Sequence, residues 1–478
     1  MVCGKVSLER RHDRCTCGWS GYLADDYLGI DSPLSAGVRR LACLSASGSS
    51  FAVSARHLQE YCGLEINAEM VRRHCEKEAK AMGIWLDKHE GVAAAFAAAE
   101  GEAEFQTDAG KVNTTTGWRD LKVASFGRRP LAASARLEDW KTRQLPKPTV
   151  QFLVAAIAPI EEFIPQVEKQ IDRLTVAVAT ATTAATTAFA APSATASEAA
   201  SEAASKMASE MTEKEPRDES FLDEAWAWGT SDPVHCLGDG ASWIWRASAE
   251  LFEQPLETLD AFHAAETIGK YTRRQYGEST ETKKARFERG VTLLLRDGAA
   301  GMRQFETEER QLLDAKRNPP GNDLSATTMM VTLLMSCALT VPPVPADVVP
   351  AEVDAPAPTT PTPNVPSASK DENGNSGLDE DDSELAELES ALNSKTPERR
   401  IDGLSRYFAK HANRLNYADR LREGQAIGSG MIEGNIKTIT LRLKARGARW
   451  LKSNVTAMSR LCCLSNGTFW NDYWKCSP

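Results

Sequence analysis

The sequence lacks any apolar run long enough to cross a bilayer. A span needs about 18–20 such residues. The best stretch, Met329–Val341, is shorter and is closed by Pro342 and Pro343. A buried or partly buried helix is expected there. The first twenty residues lack an apolar segment and carry Arg10, Arg11 and Arg14, so secretion is not expected. A disulfide framework is also missing, because the 11 Cys are scattered over 478 residues. That usage fits a reducing cytosol. No Lys-Ser/Thr pair follows Gly428–Gly430 at the Walker spacing, directly after a glycine, which disfavours a Walker-type phosphate loop. Excess positive charge is lacking too. With 56 Lys+Arg against 66 Asp+Glu, the formal charge is −10. That sum argues against a nucleic-acid partner, since phosphates are neutralised by Lys and Arg.

The distribution of the charge reverses the inference. Residues 341–398 hold 2 basic and 13 acidic side chains, whereas residues 399–478 hold 15 basic and 5 acidic. Two segments have unusual composition. Residues 175–220 are rich in Ala, Thr and Ser, compatible with either a frayed helix or a linker. Residues 342–398 are Pro-rich, then acidic, and read as an extended, disordered linker. Both are taken as insertions between structured pieces.

Periodicity sketches the rest. Apolar residues at spacings of three and four predict helices over Leu34–Ala46, Phe51–Cys62 and Ala68–Met82. The last two, parted by Gly63–Asn67, read as a helix-turn-helix with Asn67 as N-cap. Arg72, Arg73, Lys77 and Lys80 on its second helix are candidate DNA contacts, against the plainer reading of a charged surface. Strands are expected over Glu104–Asn113, Asp120–Arg128, Thr149–Ile157 and Val234–Leu237, with another near Glu257–Phe262. Helices are expected over Glu161–Leu174, Ala241–Phe252 and from His263. This order predicts an α/β fold with a mixed sheet. Lys5–Cys15 reads as a strand entering a turn. Cys3, Cys15, Cys17 and His12 leave a structural Zn²⁺ site open, although the pair is C-x-C rather than C-x-x-C.

Three carboxylates stand where α/β folds place functional groups: Asp108 in the first strand, Asp239 after a later one, and Glu433 where a Gly-rich turn enters a helix. Asp260 competes with Asp239, and nearby His263 is either scaffold or an acid/base group. Converged carboxylates suit two Mg²⁺ or Mn²⁺ ions acting on a phosphodiester. Taken singly, each also reads as an ordinary turn or helix-start residue. Lys437, Arg442, Lys444, Arg446 and Arg449 follow Glu433 and suggest a phosphate-tracking surface. Trp450, Trp470 and Trp474 are read as packing residues, with base stacking as the alternative.

The blocks GDGASWIW, LDAFHAAETI, NYADRLREGQAIGSGMIEGNIKTITLRLKARGARW and FWNDYW resemble the signature blocks of bacterial ISKra-group insertion-sequence transposases. These are DDE transposases with an RNase H-like core, related to Mutator-like elements. TDAGKVNTTTGWRDLKVASFGRR is similar to the block bearing the family's first Asp, and LSAGVRRLACLSASGSSFAVSARHLQEYCGL to its N-terminal helical region. The resemblance covers roughly residues 3–174, 233–300 and 399–474. It implies Asp108, Asp239 and Glu433 as catalytic and metal-binding, with His263 and Asp260 in an adjacent D-x-x-H motif. It implies double-stranded DNA partners (transposon ends and target), a homo-oligomer, and a bacterial cytoplasmic, nucleoid-associated location without membrane attachment. The expected organisation is a ribbon over 1–33 and a helical DNA-binding region over 34–95. Core follows over 96–174 and 221–300, around the 175–220 insertion. A helical insertion over 301–341 and the 342–398 linker precede the catalytic Glu helix and basic tail of 399–478. Rival readings are a non-catalytic DNA-binding descendant and a metal-dependent nuclease of the same fold.

Overall fold

A computed structural model describes residues 9–172, 234–318 and 380–476, apart from residues 19, 29–31, 279 and 446. The Met329–Val341 helix, the 175–220 insertion, Cys3, Arg446 and most of the 342–398 linker lie outside these residues. The chain divides into two compact units, residues 1–264 with 411–478, and residues 265–410.

The first unit is built on a five-stranded mixed sheet. Its strands are β3 (Glu102–Thr114), β4 (Gly117–Arg129), β5 (Val150–Ala156), β6 (His235–Gly238) and β7 (Leu256–Leu259), in spatial order β5-β4-β3-β6-β7. β3, β4 and β5 form an antiparallel meander. β6 runs parallel to β3, and β7 parallel to β6. Parallel neighbours need crossovers, and α7 (Ser242–Leu251) provides the one between β6 and β7. The expected strands are therefore present: β3 and β4 extend beyond the expected bounds, β5 is one residue shorter at each end, β6 is shifted by one residue, and β7 ends at Leu259 rather than Phe262.

Helices flank this sheet. Of the N-terminal ones, α1 (Leu23–Leu28) follows a small ribbon, and α2 (Ala36–Gly48), α3 (Phe51–Cys62), α4 (Ala68–Lys88) and α5 (Glu90–Ala98) lead into β3. Side chains of Ser35, Ser50 and Asn67 cap α2, α3 and α4, each accepting a backbone N–H that the first turn leaves unpaired. Gly63, in the left-handed region at φ 66°, closes α3. The helix-turn-helix spacing thus forms as expected. α6 covers residues 160–172. The C-terminal part holds α12 (Tyr417–Arg422), α13 (Gly430–Leu443), α14 (Lys452–Asn466) and α15 (Trp470–Cys476). α13 lies over β3 and β4, and α14 over β5 and α4. Ile432, Ile436, Ile439 and Leu443 bury one stripe of α13 in the same core as Phe105 and Phe126. Trp450, Trp470 and Trp474 are buried in that core, so they pack rather than present faces to bases.

The ribbon is smaller than expected: β1 (Asp13–Arg14) pairs with β2 (Ser20–Gly21). Cys15 and Cys17 are exposed there, and His12 Nε2 meets Ser20 Oγ at 3.2 Å. Among the described residues these three do not gather into a group with all ligand atoms within 4.8 Å.

The second unit is helical: α8 (Ala261–Tyr276) runs into it from the first, followed by α9 (Glu281–Arg317), α10 (Glu380–Leu392) and α11 (Pro397–Lys410). Residues 265–300, read from sequence as core, fall in this unit. α9 is broken at Gly298, whose φ of 53° and ψ of −124° favour glycine. Buried Glu309 organises the interior, accepting from Tyr271 Oη at 2.7 Å and Arg286 Nε at 2.6 Å. Among the described residues, no helix is long and apolar enough to cross a membrane.

Candidate active site

The site lies where β3 and β6 run side by side. Gln106 pairs with Leu237 in parallel register, and Asp108 and Asp239 each follow two residues later, close enough for the charge of Asp239 to act on Asp108. Asp239 follows the last residue of β6, and its Oδ1 accepts the Ala241 N–H at 3.1 Å. Asp108 Oδ1 accepts the Ala109 N–H at 2.6 Å. Both carboxylates are partly buried.

Glu433 comes from the first turn of α13. Two features of β3 seat that helix. The buried side-chain oxygen of Gln106 accepts the Ile432 N–H at 3.1 Å, so a residue two before Asp108 caps the helix carrying the third carboxylate. Gly110, two residues after Asp108, allows close approach, because a Cβ there would stand 2.5 Å from Thr440 Cγ2. Neither Gln106 nor Gly110 was picked out by sequence reasoning. Their signal was the period of two, which puts residues 106, 108 and 110 on one face of β3.

Electrostatics mark the site. The Asp108 carboxyl is pushed up to about 7, first by burial, then by Asp239, with Glu433 adding a smaller push. The backbone N–H of Ala109 and the charge of His263 oppose this rise. Burial and nearby negative charge together disfavour the ionised form of Asp108, and the Ala109 N–H and His263 offset them only in part.

Asp260 is in a different condition. It is fully buried and starts α8, where its Oδ1 accepts the N–H groups of Phe262 (2.6 Å) and His263 (2.9 Å). Its Oδ2 accepts the backbone N–H of Ser429 and, at 2.8 Å, the Ser429 hydroxyl. Burial alone would raise this carboxyl, but hydrogen bonds from His263 and Ser429 carry it below its ordinary value. His263 Nδ1 stands 3.4 Å from Asp260 Oδ1 and 3.7 Å from Glu433 Oε1. Asp260 holds the His263 imidazole up to about 9, against burial and with help from Asp239 and Glu433. It is a cation at neutral pH.

Asp260, His263 and Glu433 bring their ligand atoms within 4.8 Å of one another. A carboxylate has about four lone-pair sites, and Asp260 already accepts four hydrogen bonds. A cation bound at His263 would first have to displace its proton. This trio is therefore a poor cation cage, and Asp239 is the better second carboxylate. Asp108, Asp239 and Glu433 offer hard oxygen donors and unrelieved repulsion, a donor set that fits Mg²⁺ or Mn²⁺.

The basic residues divide. Lys437 and Lys444 are exposed on the α13 face that carries Glu433, and Arg449 is exposed beyond it. Arg442 corrects the expectation of a DNA contact. It is buried, its Nε donates to Ala46 O, and its guanidinium lies over the rings of Phe51 and Trp450. It follows Ile439 by three residues and so faces the protein. On α4, Arg72 pairs with Glu69 and Glu76, and Arg73 with Glu69, all at 2.7 Å. Lys77 is exposed on the same helix. Any phosphate contact by the two arginines has to compete with those carboxylates.

This division carries a prediction. Lys437→Ala and Lys444→Ala are each expected to weaken binding to duplex DNA and to reduce the slope of log affinity against log salt by about 0.9. Arg442→Ala is expected to leave that slope unchanged and to lower stability by about 2–4 kcal/mol, since it removes a buried packed side chain. Fluorescence anisotropy over a salt series, with urea unfolding alongside, measures both.

No protein-family model matches the chain, and no curated protein matches it.

Proposed function

We propose that this protein is a DDE-type DNA transposase with an RNase H-like core, cleaving insertion-sequence ends and joining them to target DNA. One observation carries the reading: Asp108, Asp239 and Glu433, from three distant stretches of chain, converge beside the inner strands β3 and β6, where burial, followed by the charges of Asp239 and Glu433, lifts Asp108 to about 7. Perturbed carboxylates of this kind mark functional sites more often than structural ones. The strand order β5-β4-β3-β6-β7, a meander followed by two parallel strands, supports the RNase H-like reading.

The residues divide the work as follows. Asp108, Asp239 and Glu433 would hold two Mg²⁺ ions, which when bound activate a water or a 3′-hydroxyl and stabilise the leaving oxygen. The backbone bonds of Ala109 and Ala241 and the Gln106 cap fix the orientation of these three side chains before substrate arrives. Lys437, Lys444 and Arg449 offer phosphate contacts beside Glu433. The helix-turn-helix of α3 and α4 is the proposed reader of transposon ends, with action as a homo-oligomer.

The test is transfer of a labelled DNA end into a plasmid in Mg²⁺, with Asp239→Asn as control. Joined products that need both Mg²⁺ and Asp239 support the transposase. Cleaved but never joined ends would make the protein a nuclease, and equal activity in the variant would remove Asp239 from the mechanism.

A further inference from the structure

The Ser429 hydroxyl stands 2.8 Å from Asp260 Oδ2 and 2.8 Å from Glu433 Oε1. It bridges a saturated carboxylate and a half-exposed one. The Asp260 end is fixed. Besides its four hydrogen bonds, its backbone N–H donates to Gly238 O at 2.7 Å, and the Ala261 N–H donates to Ile427 O at 2.9 Å. The segment before α13 is thus laced to the junction of β7 and α8, next to the end of β6 that carries Asp239. Ser429 itself is buried, with 2% of its surface exposed. Its carbonyl accepts the N–H groups of Ile432 and Glu433, so it sets both the backbone and the side chain of the first turn.

Glu433 is different. Its side chain is 46% exposed, and an unanchored Glu there would sample several rotamers. Its two side-chain contacts, with Ser429 Oγ at 2.8 Å and with His263 Nδ1 at 3.7 Å, are both made by Oε1. Anchoring one oxygen presents the other, Oε2, in a defined direction. A hydroxyl also has a single proton to give. Asp260 and Glu433 therefore share that proton, and its donation to Glu433 leaves Asp260 the three backbone N–H groups of Phe262, His263 and Ser429.

We propose that Asp260 and Ser429 are positioning residues, a clasp that holds Glu433 in the rotamer needed for cation binding. This rests on the reading of Glu433 as a cation ligand. It assigns the tightest group of ligand atoms in the site, Asp260, His263 and Glu433, to orientation rather than to coordination. Such outer contacts typically change metal affinity by about 10–100-fold when removed.

The experiment is Mn²⁺ titration of the full chain at pH 8, with free Mn²⁺ followed by electron paramagnetic resonance and the melting temperature of each metal-free variant recorded. Ser429→Ala is expected to weaken Mn²⁺ binding about 5–20-fold while melting close to the wild type. Ser429→Thr, which keeps the hydroxyl, is expected to restore affinity to within about threefold. Asp260→Asn, whose amide nitrogen accepts nothing from Ser429, gives a second route to the same loss. Glu433→Gln separates the two levels of the proposal. Weak binding by Glu433→Gln with normal binding by Ser429→Ala would overturn the clasp alone, as would a Ser429→Thr variant as weak as Ser429→Ala. Normal binding by Glu433→Gln would remove Glu433 from the cation site and the clasp with it.

Discussion

Asp239→Asn is expected to lower Mg²⁺-dependent cleavage of a DNA end by at least about 10³-fold, equivalent to about 4 kcal/mol of transition-state stabilisation. The loss is large because the side chain has no substitute. Asp239 follows directly on β6, and the amide that replaces it removes one charge from the carboxylate set proposed to hold the cations. The folded structure tolerates the change, since an Asn oxygen still accepts the Ala241 N–H that Asp239 accepts at 3.1 Å. Asp108→Asn and Glu433→Gln are expected to fall by similar factors. Pairs of these substitutions should cost little more than one, because groups that act as a unit are not additive. Single-turnover cleavage of an end-labelled duplex checks the factor and the non-additivity together.

Asp108→Asn has an opposite effect on stability. In the unfolded chain this carboxyl titrates near its ordinary 3.8, and in the folded protein near 7. Folding therefore disfavours its charged form. The penalty is absent below pH 4, grows as pH rises from about 4 to 7, and is complete above 7. The gap sets a ceiling of about 4 kcal/mol, and partial solvent access reduces it to about 1–3 kcal/mol. Asp108→Asn is thus expected to be more stable than the wild type by that amount at pH 8 in metal-free buffer, and equal to it near pH 4. His263 adds a second slope to the wild type. Its charged form is favoured in the folded state, so its stabilisation is complete below pH 6.5 and is lost as pH rises through about 9. Asp108→Asn keeps that slope, which separates the two groups. Added Mg²⁺ should narrow the gap at pH 8, since a cation that binds only the folded wild type stabilises it by mass action. Urea midpoints at pH 4, 6 and 8, with and without Mg²⁺, measure the whole pattern.

Much of the fold was legible because it rests on local rules. Alternation marked β3, β4 and β5, and the caps of α3 and α4 stood in the sequence as Gly63 and Asn67. The convergence of Asp108, Asp239 and Glu433 was expected from strand ends and from resemblance, not from contacts. What escaped depends on partners far along the chain. Asp260 seemed a rival to Asp239 until Ser429, 169 residues away, filled its second oxygen. Arg442 was taken with the other basic residues of α13, although its place beside Ile439 and Leu443 on the buried stripe was readable from the helical period. The pairing of Arg72 and Arg73 with Glu69 was likewise readable, as neighbours three and four residues apart on one helix.

The negative total charge gave the least guidance. Acidic residues 341–398 outweigh the basic C-terminal 80 residues in the sum. The exposed Lys437, Lys444 and Arg449 nevertheless follow Glu433 along α13 and the segment after it.

Locating a bound cation tests the central claim most directly. Crystals of the protein soaked in Mn²⁺ at pH 8, with data collected near the manganese absorption edge, report the ion by its anomalous signal. Density bounded by Asp108, Asp239 and Glu433, and lost in Asp239→Asn, is the predicted result. Density on Asp260 and His263, or none at the three carboxylates, would contradict the account.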